Sequence, residues 1–209
     1  MFDIPNGRFM NKTKEHILNT CFSLFLSKSF KEVTMREIVS ATGLSKGAFY
    51  HYFKSKEQLF IEVVNTFYFD KMVIDYGKLN SDSLLKFYHE YVDLIKEYMV
   101  AFKSFINFND PKAHINYLTM MFDALKLFPG FREKVKEHHK HELNAWISVI
   151  KKARKAGEFS SPMSDTQIAR FFIYTNDGVS LHHLLHGNLN VAVTEMLKIW
   201  NTFYKELKD

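Results

Sequence analysis

Only four prolines and eight glycines interrupt this chain of 209 residues, and between them apolar side chains recur at intervals of three and four. That spacing lines up one face of an α-helix, whereas no stretch shows the strict alternation of a half-buried strand. The pattern predicts an all-α protein of about nine helices. A first helix over 12–28 carries Ile17, Cys21, Leu24 and Phe25 on one stripe. Thr34 reads as an N-cap with Glu37 three residues on as its capping-box partner, starting a second helix that ends near Gly43. Ser45 caps a third. Ser55, paired with Gln58, caps a fourth, whose periodicity continues through Phe60, Val63, Val64 and Phe67 to about Tyr76. Five more are expected over 83–108, 112–128, 131–156, 164–187 and 191–207, with breaks at Asp110-Pro111, Pro129-Gly130, Gly157, Pro162 and Gly187.

The apolar stock is unusually aromatic: twenty-one Phe, ten Tyr and two Trp, with nine Met besides, supply more bulk than a minimal core needs. Cys21 is the single cysteine, so no intramolecular disulfide forms and a secreted disulfide scaffold is excluded. Residues 1–11 lack the apolar core of a signal peptide, and no run approaches the ~18–20 apolar residues of a membrane span. A cytoplasmic protein that spans no membrane is expected.

Charge is distributed unevenly. Residues 1–56 hold nine Lys/Arg against four Asp/Glu, while 57–209 hold nineteen of each, so the whole net charge of +5 sits in the first quarter. Such a surplus is the footprint of a phosphate-facing surface. The division at 56 suggests a small basic domain followed by a larger neutral one, with the long fourth helix as the lever between them.

Within the basic part, Thr34 to Phe60 reads TMREIVSATGLSKGAFYHYFKSKEQLF. Two short helices meet at a glycine turn, and a third segment is held against them. At 100° per residue Phe49 and Phe53 fall on the inner face of the third helix, leaving Gly47, Tyr50 and His51 outside with Lys46 near the boundary. Thr34 and Lys56 stand at helix N-termini, where free N–H groups and the helix dipole favour an anion such as a DNA phosphate.

The Thr-capped helix, the Ala-x-Gly-Leu-Ser turn, the string SKGAFYHYF and the following Lys-Ser-Lys-Glu resemble, at matching spacing, the DNA-binding domain of the TetR family of bacterial transcriptional regulators. The resemblance covers roughly residues 12–64. It implies a three-helix helix-turn-helix domain (1–56) joined by a long helix to an α-helical effector-binding and dimerisation domain (57–209). It further implies a regulator, a repressor by family habit, that binds a palindromic double-stranded operator as a homodimer and is released by a small-molecule effector of unidentified class. On this basis Thr34, Arg36, Ser45, Lys46, Gly47, Tyr50, His51, Tyr52 and Lys56 are the candidate DNA-contacting residues. Phosphate contacts would set position, while base-edge contacts would read sequence. Three positions depart from the family pattern. Ser29 stands where glycine is usual, so either Ser29 is left-handed or the turn differs; Val39 and Thr42 each replace a small residue, usually alanine.

A reader this small needs two copies on a two-fold site. Resemblance to the family assigns the pairing to the last two helices, with Phe171, Phe172, Met196, Trp200 and Phe203 as candidate interface residues, although periodicity alone does not separate interface from core. Candidate effector-pocket residues are Phe67, Tyr91, Phe102, Phe105, Tyr117, Met120, Met121 and Tyr174; aromatic and Met side chains line a pocket or fill a core equally well.

The rival readings are a helical small-molecule sensor without operator binding, and an enzyme. No GxGxxG after a strand, P-loop, HExxH or CxxC occurs, so no catalytic residue, metal or cofactor is assigned. His138, His139 and His141 cluster on one helix, and His182 and His186 have the i, i+4 spacing that can share a metal, but a metal site needs further ligands that the sequence does not reveal; Glu137 with His141 and His138 with Glu142 make ordinary i, i+4 partners. The run Lys151, Lys152, Arg154 and Lys155 complements a helix C-terminus.

Overall fold

The computed structural model describes residues 12–70, 74–103 and 111–208, with the side chains of 102, 103 and 111 left aside. Among the described residues every regular element is helical: α1 (Lys12–Ser27), α2 (Met35–Thr42), α3 (Lys46–Tyr52), α4 (Lys56–Asn65), α5 (Leu84–Lys103), α6 (Pro111–Leu127), α7 (Pro129–Lys155), α8 (Asp165–Leu185) and α9 (Ala192–Glu206). The all-α architecture of nine helices is as the sequence predicts. One extent differs. Instead of running on to Tyr76, α4 widens into a π-helical turn at Thr66–Asp70, and Tyr76–Lys78 forms a separate 3-10 turn.

Local chemistry fixes the short N-terminal helices. Thr34 Oγ1 accepts from the Glu37 amide (3.2 Å) and Glu37 accepts from the Thr34 amide (2.9 Å), closing the expected capping box. Gly43 ends α2 at φ 68°, the left-handed value that the turn into α3 requires. Ser55 caps α4 through the Gln58 amide (3.1 Å), but the Gln58 side chain accepts from Lys54 N (2.9 Å) rather than from the cap residue. No described residue other than glycine has positive φ, so Ser29 is not left-handed. The turn differs instead: Ser29 N donates to Glu32 (2.8 Å), and Glu32 N returns to Ser29 O (3.0 Å).

Two large cores result. The first joins α1 (Ile17, Leu18, Cys21, Phe22, Phe25), Ile38, Phe49, Phe53 and α4 (Leu59, Phe60, Val63) to Met120 and Ala124 of α6. The N-terminal helices therefore do not close on themselves at residue 56. α6 is part of their core, and Asn116 Nδ2 donates to Leu26 O across the junction (2.9 Å). The π-turn adds a second tie, with Phe67 stacked on Phe22 of α1 (centroids 3.7 Å, 5°) and Tyr68 stacked on Tyr117 of α6 (4.7 Å, 14°). Cys21 is fully buried, and that burial pushes its thiol up to about 12, as suits a packing residue.

The second core packs α5, α7, α8 and α9 around Trp146, Trp200, Phe172, Tyr88 and Tyr91. Each such side chain removed from water contributes roughly 1.5–3 kcal/mol before ordering costs, and α8 adds a capping box in which Ser164 Oγ accepts from the Gln167 amide (3.2 Å) and Gln167 accepts from the Ser164 amide (2.8 Å). Glu158, in the loop after α7, accepts from the Leu84 and Leu85 amides (3.0 Å each) and so caps α5 from a distance. Arg154 is spent on Asp165 (2.9 Å) and the Ser161 and Met163 carbonyls (2.7 Å each), fastening α7 to α8. Buried His183 closes the α8–α9 hairpin through Asn188 (2.8 Å) and Glu195 (2.7 Å), and these partners raise its pKa above the ordinary imidazole value.

Candidate nucleic-acid interface

α3 is seven residues long, too short to persist without support. Phe49 and Phe53, 0% and 1% exposed, anchor it in the first core, and Ser45 caps its start through the Ala48 amide (3.2 Å). That anchoring turns Ser45, Lys46, Gly47, Ala48 and His51 to solvent, while Tyr50 and Tyr52 lie half-buried at its edges. His16 Nε2 reaches Thr42 O (3.0 Å), tying α1 to the turn that aims α3.

Gly47 is informative because the fold does not need it. A Cβ built there meets nothing within 4 Å and its φ is not positive, yet glycine in a helix costs about 1 kcal/mol relative to alanine. An exposed glycine held at that cost leaves room for close approach of a surface from outside.

Around α3, Arg36 and Lys46 are exposed and make no ion pair among the described residues. Thr34 is exposed at the start of α2, its hydroxyl held by Glu37 (2.9 Å). Glu37 is in turn held at about 2, first by Lys28 (2.6 Å) and then by Thr34, so one potential anion on this face is neutralised in place. Lys56 departs from expectation. Its ammonium points inward to Phe30 O (2.8 Å) and Val33 O (2.9 Å) and lies over the Phe30 ring (4.3 Å), so it clamps the loop before α2 instead of standing open for a phosphate. Orphan carbonyls in that loop recruit the cation, a long-range demand that helix-terminus logic alone does not reveal.

The residues expected at a dimer interface divide. Phe172, Met196 and Trp200 are 0–1% exposed inside the protomer and present nothing to a second copy. Phe171 and Phe203 are only half-buried and stack on each other at 3.6 Å, between two shallow open grooves on α8 and α9. Tyr174, expected in the effector pocket, and Leu181 and Leu185, not singled out from the sequence, are apolar residues on the outside, 63%, 47% and 55% exposed. Period-3.6 counting gave the apolar face of each helix but not its outer flank.

The residues expected in one effector pocket do not share one. Phe67, Tyr117, Met120 and Met121 belong to the first core, Tyr91 to the second, and Tyr174 lies on the outer surface of α8. Phe105 and the side chain of Phe102 lie outside the described residues. Glu142 was expected to pair with His138; it is instead buried and bonded to the Tyr76 hydroxyl (3.1 Å), while Glu137 does meet His141 (3.3 Å). Among the described residues no group of three or more His, Cys, Asp or Glu is placed to hold a metal, and no helix is long and apolar enough to cross a membrane.

Comparison with known proteins bears on the same segment. The sequence model of a family described as "Bacterial regulatory proteins, tetR family" matches residues 17–63. YerO of Bacillus subtilis, named as an HTH-type transcriptional regulator, is 52% identical over 52 residues, 25% of this chain. YuxN of the same organism, likewise named, is 31% identical over 110 residues, 52% of this chain. The matches span only 18% and 38% of those relatives' own lengths. A transcriptional regulator from Saccharomonospora viridis, solved in complex with choline, shares the fold at a TM-score of 0.65 and 17% identity, covering 94% of this chain and 97% of that one. Residues 17–63 therefore carry the helix-turn-helix segment of the TetR family, on a fold shared nearly end to end with a solved transcriptional regulator.

Proposed function

We propose that this protein is a cytoplasmic, non-enzymatic repressor that binds a palindromic DNA operator as a homodimer and lets go when a small molecule occupies its C-terminal half. The observation that carries the reading is the exposed face of α3: unpaired Lys46, a glycine the fold does not require, and His51, backed by two fully anchored phenylalanines. Residues 1–56 supply the DNA-binding part and 57–209 the effector and dimer part, with α6 shared between their cores. Lys46, Tyr50, His51 and Tyr52 serve the groove and its flanks, Thr34, Arg36 and Ser45 the phosphates, and Gly47 admits the backbone closely. Lys56 contributes by holding the loop before α2. The apolar outer flank of α8 and α9, with Phe171, Phe203, Tyr174, Leu181 and Leu185, pairs two copies so that two α3 helices meet one two-fold site.

The paired ring stacks of the π-turn support a route for release. An effector that moves α6 displaces Tyr68 through Tyr117 and α1 through Phe22 and Phe67, altering the spacing of the two α3 helices. The test is operator selection from random duplexes followed by a salt-dependent mobility shift. The expected result is a palindromic site, a log–log salt slope of several units, and an affinity about 100-fold lower for Lys46→Ala with Tyr50→Ala. Full affinity in that double variant would sink the proposal.

A further inference from the structure

The second core contains a group of polar side chains that packing leaves incomplete. Glu142 on α7 is 7% exposed, and its one hydrogen-bond partner among the described residues is the Tyr76 hydroxyl at 3.1 Å. No Lys or Arg pairs with it among the described residues. Asp177 on α8, exposed at the surface and facing His139, lies near enough to act on it electrostatically; burial raises Glu142 to about 7, and partial desolvation raises Asp177 against the opposing pull of His139. A buried acid without a counter-charge is costly, and the protein limits that cost by retaining a proton where another cation would serve.

The walls are aromatic. Trp146 stands one turn beyond Glu142 on the same face of α7, 1% exposed, with its ring 5.5 Å from that of Tyr91. The Tyr76 ring lies nearly parallel to those of Tyr91 and Phe87, 6.4 Å from each. Two donors here have no acceptor. Trp146 Nε1 is buried without one, and the Tyr91 hydroxyl accepts from Asn176 Nδ2 at 3.5 Å but has no acceptor for its own proton among the described residues. Buried donors in native cores are almost always satisfied, so two open ones beside a buried acid that no Lys or Arg pairs mark a place for something further.

We infer that the region bounded by Glu142 and Asp177 and walled by Tyr76, Tyr91 and Trp146 is the effector site, and that it takes an organic cation, an amine or quaternary ammonium bearing an oxygen acceptor. The inference rests on the regulator reading above and names the chemistry of its effector. Glu142 and Asp177 supply the counter-charge, the ring faces attract the cation through their quadrupoles, and Tyr91 and Trp146 donate to the acceptor oxygen. Tyr76 sits half-buried on a three-residue turn. Its phenol fills the place on Glu142 in the free protein and yields it to the ligand.

The test is titration calorimetry on the full chain with choline and with 3,3-dimethylbutan-1-ol, its neutral carbon analogue. The expected result is at least about tenfold tighter binding of choline, with proton release and an affinity that climbs as pH rises through 7. Glu142→Gln should remove the charge preference and the pH dependence; Asp177→Asn, nearer the surface, should weaken choline several-fold and serves if the first variant fails to fold. Equal affinity for the two compounds, or an undiminished choline preference in Glu142→Gln, overturns the inference. Operator mobility shifts on the same preparations separate the two claims: operator binding without cation preference defeats this inference and leaves the regulator, whereas cation preference without operator binding does the reverse.

Discussion

The outer face of α3 and the outer faces of α8 and α9 are both open to solvent, yet they are built from opposite materials. On α3 the exposed residues are polar, cationic or absent, as at Gly47, and the aromatic rings behind them are buried to the last few per cent. On α8 the exposed residues include Tyr174, Leu181 and Leu185, large and apolar, among polar neighbours such as Arg170 and Asp177. Neither face is explained by its own protomer: folding has no use for a helix-weakening glycine on the first or for leucines in water on the second. The difference shows that one surface suits an anion and the other suits the exclusion of water, the division of labour that the proposed two-fold reader needs.

The sharpest way to break this comparison is inside α9. Trp200→Ala should cost about 3–5 kcal/mol of folding stability by cavity formation, read as a fall in Tm, because Trp200 is fully buried in the protomer; a Tm near wild type with loss of the dimer would return it to the interface. Leu181→Asp with Leu185→Asp should do the opposite. Sedimentation velocity should show a monomer at micromolar concentration, an effect of about 3 kcal/mol or more from placing charge in an apolar contact, with little change in the protomer's helicity.

A pH series sharpens the contrast between buried and exposed charge. The folded-state pKa of Glu142 lies above its unfolded value, at about 7 against an ordinary 4.5, so the native state holds the proton more tightly. Stability should therefore fall as pH rises from about 4.5 to about 7, by up to roughly 3 kcal/mol, and level off above. Glu142→Gln should flatten that stretch of a denaturant-midpoint profile. Exposed Glu37, held at about 2, has the opposite sign: what it contributes is present above its unfolded value and lost as pH falls toward 2.

The smallest effect bears on α3. Gly47→Ala should raise stability by about 0.5–1 kcal/mol through helix propensity while lowering operator affinity, measured by fluorescence anisotropy. A gain in both would show that the glycine serves neither purpose.

Much of the fold was legible because its signals are local. Thr34, Gly43, Ser45 and Ser55 mark helix ends through interactions spanning three or four residues, although Gln58 turns to Lys54 N instead of closing the box on Ser55. The outward face of α3 followed from Phe49 and Phe53 by the same arithmetic. What stayed hidden depends on residues distant in sequence. The carbonyls of Phe30 and Val33 that capture Lys56 lie 26 and 23 positions away, and Tyr76, which draws Glu142 from its i−4 histidine, lies 66 away. The interface expectation divided, and the pocket expectation scattered, for a related reason: a helical stripe reports that a residue is apolar, but not which of two cores, or which flank, receives it.

Cys21 carries one more consequence. Sulfur reacts with peroxides and electrophiles as its anion and only where a reagent can reach it. Sealed between helices with its proton held up to about 12, this solitary thiol is shielded on both counts, so dilute peroxide should leave it unmodified in the folded protein.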